Sequence, residues 1–301
     1  NPEQREAKNM LGVILVHEKR FEEAVSVLRP LANDILYNSP ESAWGNLGWA
    51  YLKLGNYDEA IDALRRSLAA QPLFCAGAYR LGLAYEGKND LKAAHDDFAK
   101  AVEIGLRAGP SGINAANKAA MIYANFLEDD ADTRLKLFQD IAERCVALQK
   151  AEPENVNAWY IHAYALGRYS QGISVGKALA QGLGGKVKTS LDEALKRQPK
   201  HADAHIAMGT WHSEIIDKVG GMVGGLTYGA KKDAGEKHFR TALDLNPDSA
   251  VAHTEYADGL IMLFGRSRLK DAERLYAEAI ECVPADAMER LDLERTKEQM
   301  D

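Results

Sequence analysis

What the sequence lacks narrows it first. No stretch of about 18 apolar residues occurs, so no segment reads as a membrane-spanning helix. No long basic run occurs either. With 37 Lys and Arg against 44 Asp and Glu the net charge is −7, which argues against nucleic acid as a partner. Only three cysteines are present, Cys75, Cys145 and Cys282, far apart and without CxxC spacing. They read as small buried apolar side chains; one disulfide stays open, and a zinc site is set aside. The chain starts at Asn1 rather than methionine, so a processed or trimmed product is expected, with a removed signal peptide or lipoprotein leader as one form of it.

Catalytic signatures are missing as well. Gly182–Lys186 (GLGGK) has the look of a phosphate loop, but Val187 follows the lysine where Ser or Thr is needed and no strand precedes it. A helix starting after those glycines can still attract an anion. His201, His205 and His212 have helical spacing, yet no glutamate accompanies His201 as in HExxH, and packing is the better reading than a metal. Carboxylate pairs such as Glu22–Glu23 and Asp129–Asp130 fall at helix starts, against the helix dipole or in solvent. No Ser–His–Asp or Cys–His set can be argued from spacing. No catalytic residue, metal or cofactor is therefore expected.

What is present is repetition. With 301 residues the chain is long for one compact core, and 46% hydrophobic with 27% charged residues describes a folded protein. Residues 42–72 carry Trp44, Leu47, Gly48, Tyr51, Ala60, Leu64 and Pro72. The following unit carries Leu81, Gly82, Tyr85, Ala94, Phe98 and Ala101, and the preceding one Leu11, Gly12, Leu15, Ala24 and Leu28. Gly48 and Gly82 are 34 residues apart. This pattern resembles the tetratricopeptide repeat (TPR), whose unit is an antiparallel pair of amphipathic helices that cannot bury its apolar face without a stacked neighbour. The resemblance implies an all-α TPR solenoid: a right-handed superhelix of about seven helix pairs, more than about 65% helical and without sheet.

Later units keep the idea in looser form. Residues 117–128 and 132–150 read as a helix pair without the signature. Trp159, Ala163 and Leu166 open a unit that closes on Leu191, Ala194 and Pro199; His205, Met208, Gly209 and His212 open one that closes on Phe239, Ala242 and Pro247; His253, Tyr256, Ala257 and Leu260 open a last one, closing on Ala272, Tyr276, Ala279 and Pro284. Residues 286–299 read as a capping helix. Two units carry apolar, glycine-rich insertions, Gly172–Gly185 and Gly220–Gly229. Such a composition suits close packing better than a mobile loop, so Ile173, Val175, Leu179, Leu183, Met222, Val223, Leu226 and Tyr228 are expected in a paired cluster at one edge of the superhelix, buried against each other across adjacent units or against a partner, as an interaction or membrane-proximal surface. The segment Arg107–Gly112 (RAGPSG) is the expected seam, dividing a regular array over 1–106 from a divergent one over 107–301.

In a TPR stack the first helix of each pair lines the concave face. The groove residues would be Asn9, Val13 and Val16; then Gly45, Trp49 and Leu52; then Tyr79, Leu83 and Glu86; later Tyr160 and Tyr164, and Ile206 and Thr210. Such a lining is apolar and aromatic. Val13, Trp49 and Leu83 depart from the Lys and Asn that clamp the carboxylate of heat-shock chaperones in other TPR domains, so that mode is rejected. Residues 1–105 resemble the TPR lipoproteins of type IV pilus biogenesis, the outer-membrane pilotins, in their regular array and in the unit NLGWAYLKLGNYDEAIDALRRSLAAQP. Residues 113–301 are similar to divergent periplasmic TPR proteins such as the T component of TRAP transporters. These resemblances imply a non-enzymatic scaffold or assembly factor that takes an apolar segment of a protein partner, in a bacterial periplasmic or outer-membrane-associated setting that includes a membrane-associated complex. The rival expectation is a carrier of a small hydrophobic ligand, enclosed by the two insertions.

Overall fold

The computed structural model describes residues 2–282 together with 293, 294, 296 and 297. Helix accounts for 83% of it, with no strand among the described residues. The helices are α1 (Pro2–His17), α2 (Phe21–Ala32), α3 (Pro40–Lys53), α4 (Tyr57–Ala70), α5 (Cys75–Gly87), α6 (Leu91–Arg107), α7 (Pro110–Ile122), α8 (Ala131–Ala151), α9 (Val156–Gln171), α10 (Val175–Ala180), α11 (Leu183–Arg197), α12 (Ala202–Val219), α13 (Gly221–Val223), α14 (Lys232–Leu245), α15 (Ala250–Phe264) and α16 (Leu269–Glu281). α7 runs on into a π-helical turn at Tyr123–Leu127 and α13 into another at Gly224–Tyr228. The expected capping helix at 286–299 lies outside the described residues for the most part. Cys75, Cys145 and Cys282 are free thiols, and Cys75 and Cys145 are buried.

Four of the pairs are held by a notch and a knob. Gly12, Gly48, Gly82 and Gly209 each lie on the first helix of a pair. A Cβ there would stand 2.4 Å from Leu28, 2.6 Å from Leu64, 2.8 Å from Phe98 and 2.8 Å from Phe239, each a large residue of the second helix. No real side chain fits at such distances, so glycine is required by the approach. In the first three pairs glycine and knob are 16 residues apart, but Gly209 and Phe239 are 30 apart. The extra chain leaves between the helices without disturbing the contact. Phe239 is fully buried, also presses on Gly259 of α15, and stacks on Tyr256 with ring centroids 5.2 Å apart.

Local signals place the helix ends. Three first helices are capped two residues after a proline: Pro153, Pro199 and Pro247 precede the caps Asn155, His201 and Ser249. Each of those three side chains accepts from a backbone N–H of the first turn, at Ala158, Ala204 and Ala252. Between the helices of the first three pairs, Lys19, Gly55 and Asn89 all take a left-handed conformation (φ 60°, 74° and 61°), which closes the hairpin turn.

The chain divides into two compact units, Asn1–Leu127 and Glu128–Asp301, later than the boundary expected at 106/107. The reason lies at Arg107–Gly112. This segment is a tight turn, with Gly109 at φ +69°, that folds α7 back on α6. A Cβ on Gly105 would meet the Gly112 carbonyl at 2.7 Å, so two glycines let the backbones touch. α7 is thus the last helix of the first unit and α8 the first of the second, which corrects the reading of 117–128 and 132–150 as one pair.

The insertions also differ from expectation. Leu183 is buried at 3% exposure, and Ile173 and Tyr228 are half-buried. Val175, Leu179 and Val223 are exposed, and Met222 and Leu226 are 80% and 84% exposed. The cause is the geometry of the second insertion. Gly220 and Gly229 (φ +82° and +74°) pinch its base, where Ala230 N–H donates to the Gly224 carbonyl, and the short α13 and the π-helical turn after it leave Met222 and Leu226 on the outer side. The two insertions do meet, since a Cβ on Gly184 would stand 3.1 Å from the Tyr228 ring. Phe239→Ala is expected to destabilise the second unit by roughly 3–5 kcal/mol through the cavity it leaves. Urea denaturation of the full chain measures the loss.

Candidate functional site

In the first unit the inner-face residues are largely spent on the stack. Val16, Leu52, Leu83, Glu86 and Gly45 are buried, and so is Asn9. First helices pack on one another here, α1 on α3 and α3 on α5, and that contact covers the positions flanking the signature glycine. This corrects the expectation of an open apolar groove at Val16, Leu52 and Leu83. Val13, Trp49 and Tyr79 keep part of their surface. A polar ladder crosses the same face. Asn46 Nδ2 donates to Asn9 Oδ1 at 3.0 Å, and Arg80 Nη1 donates to the Gly45 carbonyl at 3.0 Å and to Asn46 Oδ1 at 3.3 Å. The Arg80 guanidinium lies 4.6 Å from the centre of the Trp49 ring, whose other neighbour is His17 at 5.1 Å. Burial pulls the Arg80 pKa down to about 10.

The second unit holds a cavity of about 350 Å³ between α9, α10, α11, α12, the Tyr228 turn and α15. Tyr160, Tyr164, Ile206 and Thr210, all expected in the groove, line it together. So do Ile173, Leu179 and Leu183 of the first insertion and Tyr228 of the second. The wall is anchored by Trp211, whose Nε1–H donates to the Gly184 carbonyl at 2.8 Å, and by Lys231 N–H, which donates to His212 Nδ1 at 3.1 Å. Polar groups converge at one end. Gln171 Nε2 donates to Glu214 Oε1 at 2.6 Å and Thr210 Oγ1 to Glu255 Oε2 at 2.8 Å. Arg168 lies 4.0 Å from Glu255, donates through Nε to Tyr164 Oη at 3.3 Å, and stacks 5.3 Å from that ring's centre. Burial pushes the Glu214 carboxyl up, and the nearby Glu255 charge adds to it.

Behind the cavity wall stands a histidine row. His205 Nε2–H donates to the Pro199 carbonyl at 3.0 Å, which leaves its Nδ1 to accept from His238 Nδ1–H at 2.8 Å. His212 stacks on His238 at 6.0 Å. Among the described residues no group of three or more His, Cys, Asp or Glu side chains is placed to hold a metal ion, and no helix is long and apolar enough to cross a membrane.

The repeat can now be matched to known families. A family profile described as tetratricopeptide repeat matches residues 42–72, and a second such profile matches 77–104. The chain is a TPR protein. No curated protein matches it. Among solved structures, a tetratricopeptide repeat protein from Parabacteroides merdae is 11% identical, with a TM-score of 0.55 over 98% of this chain and 99% of that one. The human IFIT1 dimer with PPP-AAAA is 16% identical, with a TM-score of 0.51 over 90% of this chain and 59% of that one. Pseudomonas aeruginosa pilF is 14% identical, over 79% and 92%, with a TM-score of 0.48. At these identities the likeness concerns the fold alone. The profile matches stay within the first unit of this TPR protein, whereas its cavity lies in the second, where the insertions are.

The histidines make a measurable prediction. Burial holds His212 and His238 at about 4, below their ordinary 6.5. The unfolded chain therefore binds protons that the folded one refuses. Stability is unaffected above about pH 6.5 and falls as pH drops from there towards about 4. Urea midpoints are expected to fall between those limits, and His238→Gln to flatten part of the fall. A midpoint that holds constant from neutral pH to pH 5 contradicts the assignment.

Proposed function

We propose that this TPR protein is a non-enzymatic binding scaffold that takes an apolar segment of a protein partner against the first helices of its second unit. TPR repeats in general mark protein-interaction scaffolds. The observation that carries the more specific reading is the cavity at Tyr160 and Tyr164. It is the place where the expected inner-face residues line a real concavity, with aromatic side chains of the kind that anchor interfaces. Trp49 and Tyr79 of the first unit are secondary candidates, with Asn9, Val13, Val16, Leu52 and Leu83 supporting them from within the stack. A role in pilus or secretin assembly rests on the resemblance of residues 1–105, and a periplasmic or outer-membrane setting on that and on the resemblance of residues 113–301 to periplasmic TPR proteins.

A second reading has its own support. α10 and the Tyr228 turn wall the cavity, and its volume falls in the range of small-molecule sites, which suits a carrier of a hydrophobic ligand. The two readings separate cleanly. The full chain and its Tyr160→Ala/Tyr164→Ala variant serve as baits, with circular dichroism confirming the helical content of both. The scaffold reading expects a specific protein held by the parent and weakened by roughly 2–4 kcal/mol in the variant. Equal retention by both excludes this surface. A hydrophobic metabolite seen by native mass spectrometry in the parent and lost from the variant favours the carrier.

A further inference from the structure

The cavity of the second unit is apolar along most of its wall and acidic at one end. Ile173, Leu179, Leu183, Ile215 and Tyr228 form the apolar part. Glu214 of α12 and Glu255 of α15 reach the other end, each accepting from a neutral donor, Gln171 and Thr210. Their charges are felt by one another. The cation set against them is Arg168, 4.0 Å from Glu255, already engaged with Tyr164 and Gln171. Lys218 also borders the cavity, but it is exposed and sits 2.9 Å from Asp217. Two carboxylates thus face one half-buried guanidinium, with Lys218 at the rim also acting on Glu214, in a partly dry space where an uncompensated charge is costly. Asp203 at the exposed rim adds charge of the same sign. An anionic ligand would meet this end with repulsion, and a purely apolar one would leave it uncompensated. A cation would lower its energy.

We propose that the cavity is a binding site for an organic cation, an ammonium or guanidinium group on an apolar stem, with the charged group at the Glu214–Glu255 end and the stem along Ile173, Leu179, Leu183 and Ile215. The proposal rests on the reading of this cavity as the binding site and adds the charge of what it takes. A free amphipathic amine and a lysine or arginine side chain of a protein segment present the same chemistry.

The test is calorimetric titration of the full chain, at neutral pH and physiological salt, with n-octylamine, n-octanol and octanoate. Octylamine is expected to bind at least about tenfold more tightly than octanol, a difference of roughly 1.4 kcal/mol, and octanoate more weakly still. Glu214→Gln/Glu255→Gln is expected to bring octylamine down to the level of octanol while octanol itself is unchanged, which also shows that the variant keeps its cavity. A parallel arm compares the peptides acetyl-Leu-Lys-Leu-amide and acetyl-Leu-norleucine-Leu-amide. A lysine preference abolished by the same variant assigns the cation to a partner's side chain, and an amine preference without it assigns a free ligand. The inference is overturned if octanoate binds as well as octylamine, if the double glutamine variant keeps the preference, or if none of the probes binds. Octanol binding without any charge preference sinks the cation but leaves the cavity as a binding site. Failure of all probes with the Tyr160/Tyr164 variant still losing its protein partner leaves the scaffold reading standing.

Discussion

Four helix pairs of this molecule depend on one packing contact, the insertion of a large side chain of the second helix into a glycine notch on the first. At Gly12–Leu28, Gly48–Leu64, Gly82–Phe98 and Gly209–Phe239 the space for a Cβ is already filled. Close-packed interiors tolerate no overlap, and the knob is fully buried in all four. Once the contact is made, the crossing of the two helices is set and the turn between them is free to vary. That freedom explains how a pair with 14 extra residues between notch and knob still keeps the same packing as the regular ones.

The second unit uses the freedom to build a site. In the first unit, first helices touch one another and bury the residues beside the notch, leaving the ladder Asn9–Asn46–Arg80 and a partly exposed Trp49. In the second, the two insertions come out between the helices of consecutive pairs and meet where Gly184, at the start of α11, faces the Tyr228 ring. They act as a wall, tied to α12 through Trp211 and His212. The space they border is lined by tyrosines of α9 and by acids of α12 and α15. A repeat that elsewhere only stacks acquires a concave, chemically asymmetric surface by adding chain at one point.

The parts legible in the sequence were those set by spacing. The 34-residue period, the notch glycines and the prolines before the caps identify the helix pairs, because each is a local or nearest-neighbour requirement. Tyr160, Tyr164, Ile206 and Thr210 could be placed on one face for the same reason. Other features depend on which neighbour arrives, and spacing is silent on that. Val16, Leu52 and Leu83 are buried because adjacent first helices approach closely. Glycine with apolar residues at 220–229 looked like packing material, yet Met222 and Leu226 point outward, since a pinched loop of that length has an outer side whatever its composition. Spacing does not reveal the polar end of the cavity, because Arg168, Glu214 and Glu255 come from three helices far apart in the chain. The segment Arg107–Gly112 is a similar case: read as a seam, it is a tight turn that brings Gly112 against the backbone of Gly105.

Methionine oxidation tests the central claim most directly, namely that the notch-and-knob stack stays closed while the second insertion stands outside it. Met208 is next to the notch glycine Gly209 and 3% exposed, Met121 on α7 is 4% exposed, and Met222 at the insertion tip is 80% exposed. Under dilute peroxide with peptide mapping, the native protein is expected to oxidise rapidly at Met222 and slowly at Met208 and Met121, with the difference vanishing in denaturant. Protection of Met222 equal to that of Met208 would contradict the account, and so would rapid oxidation of Met208 in the native state.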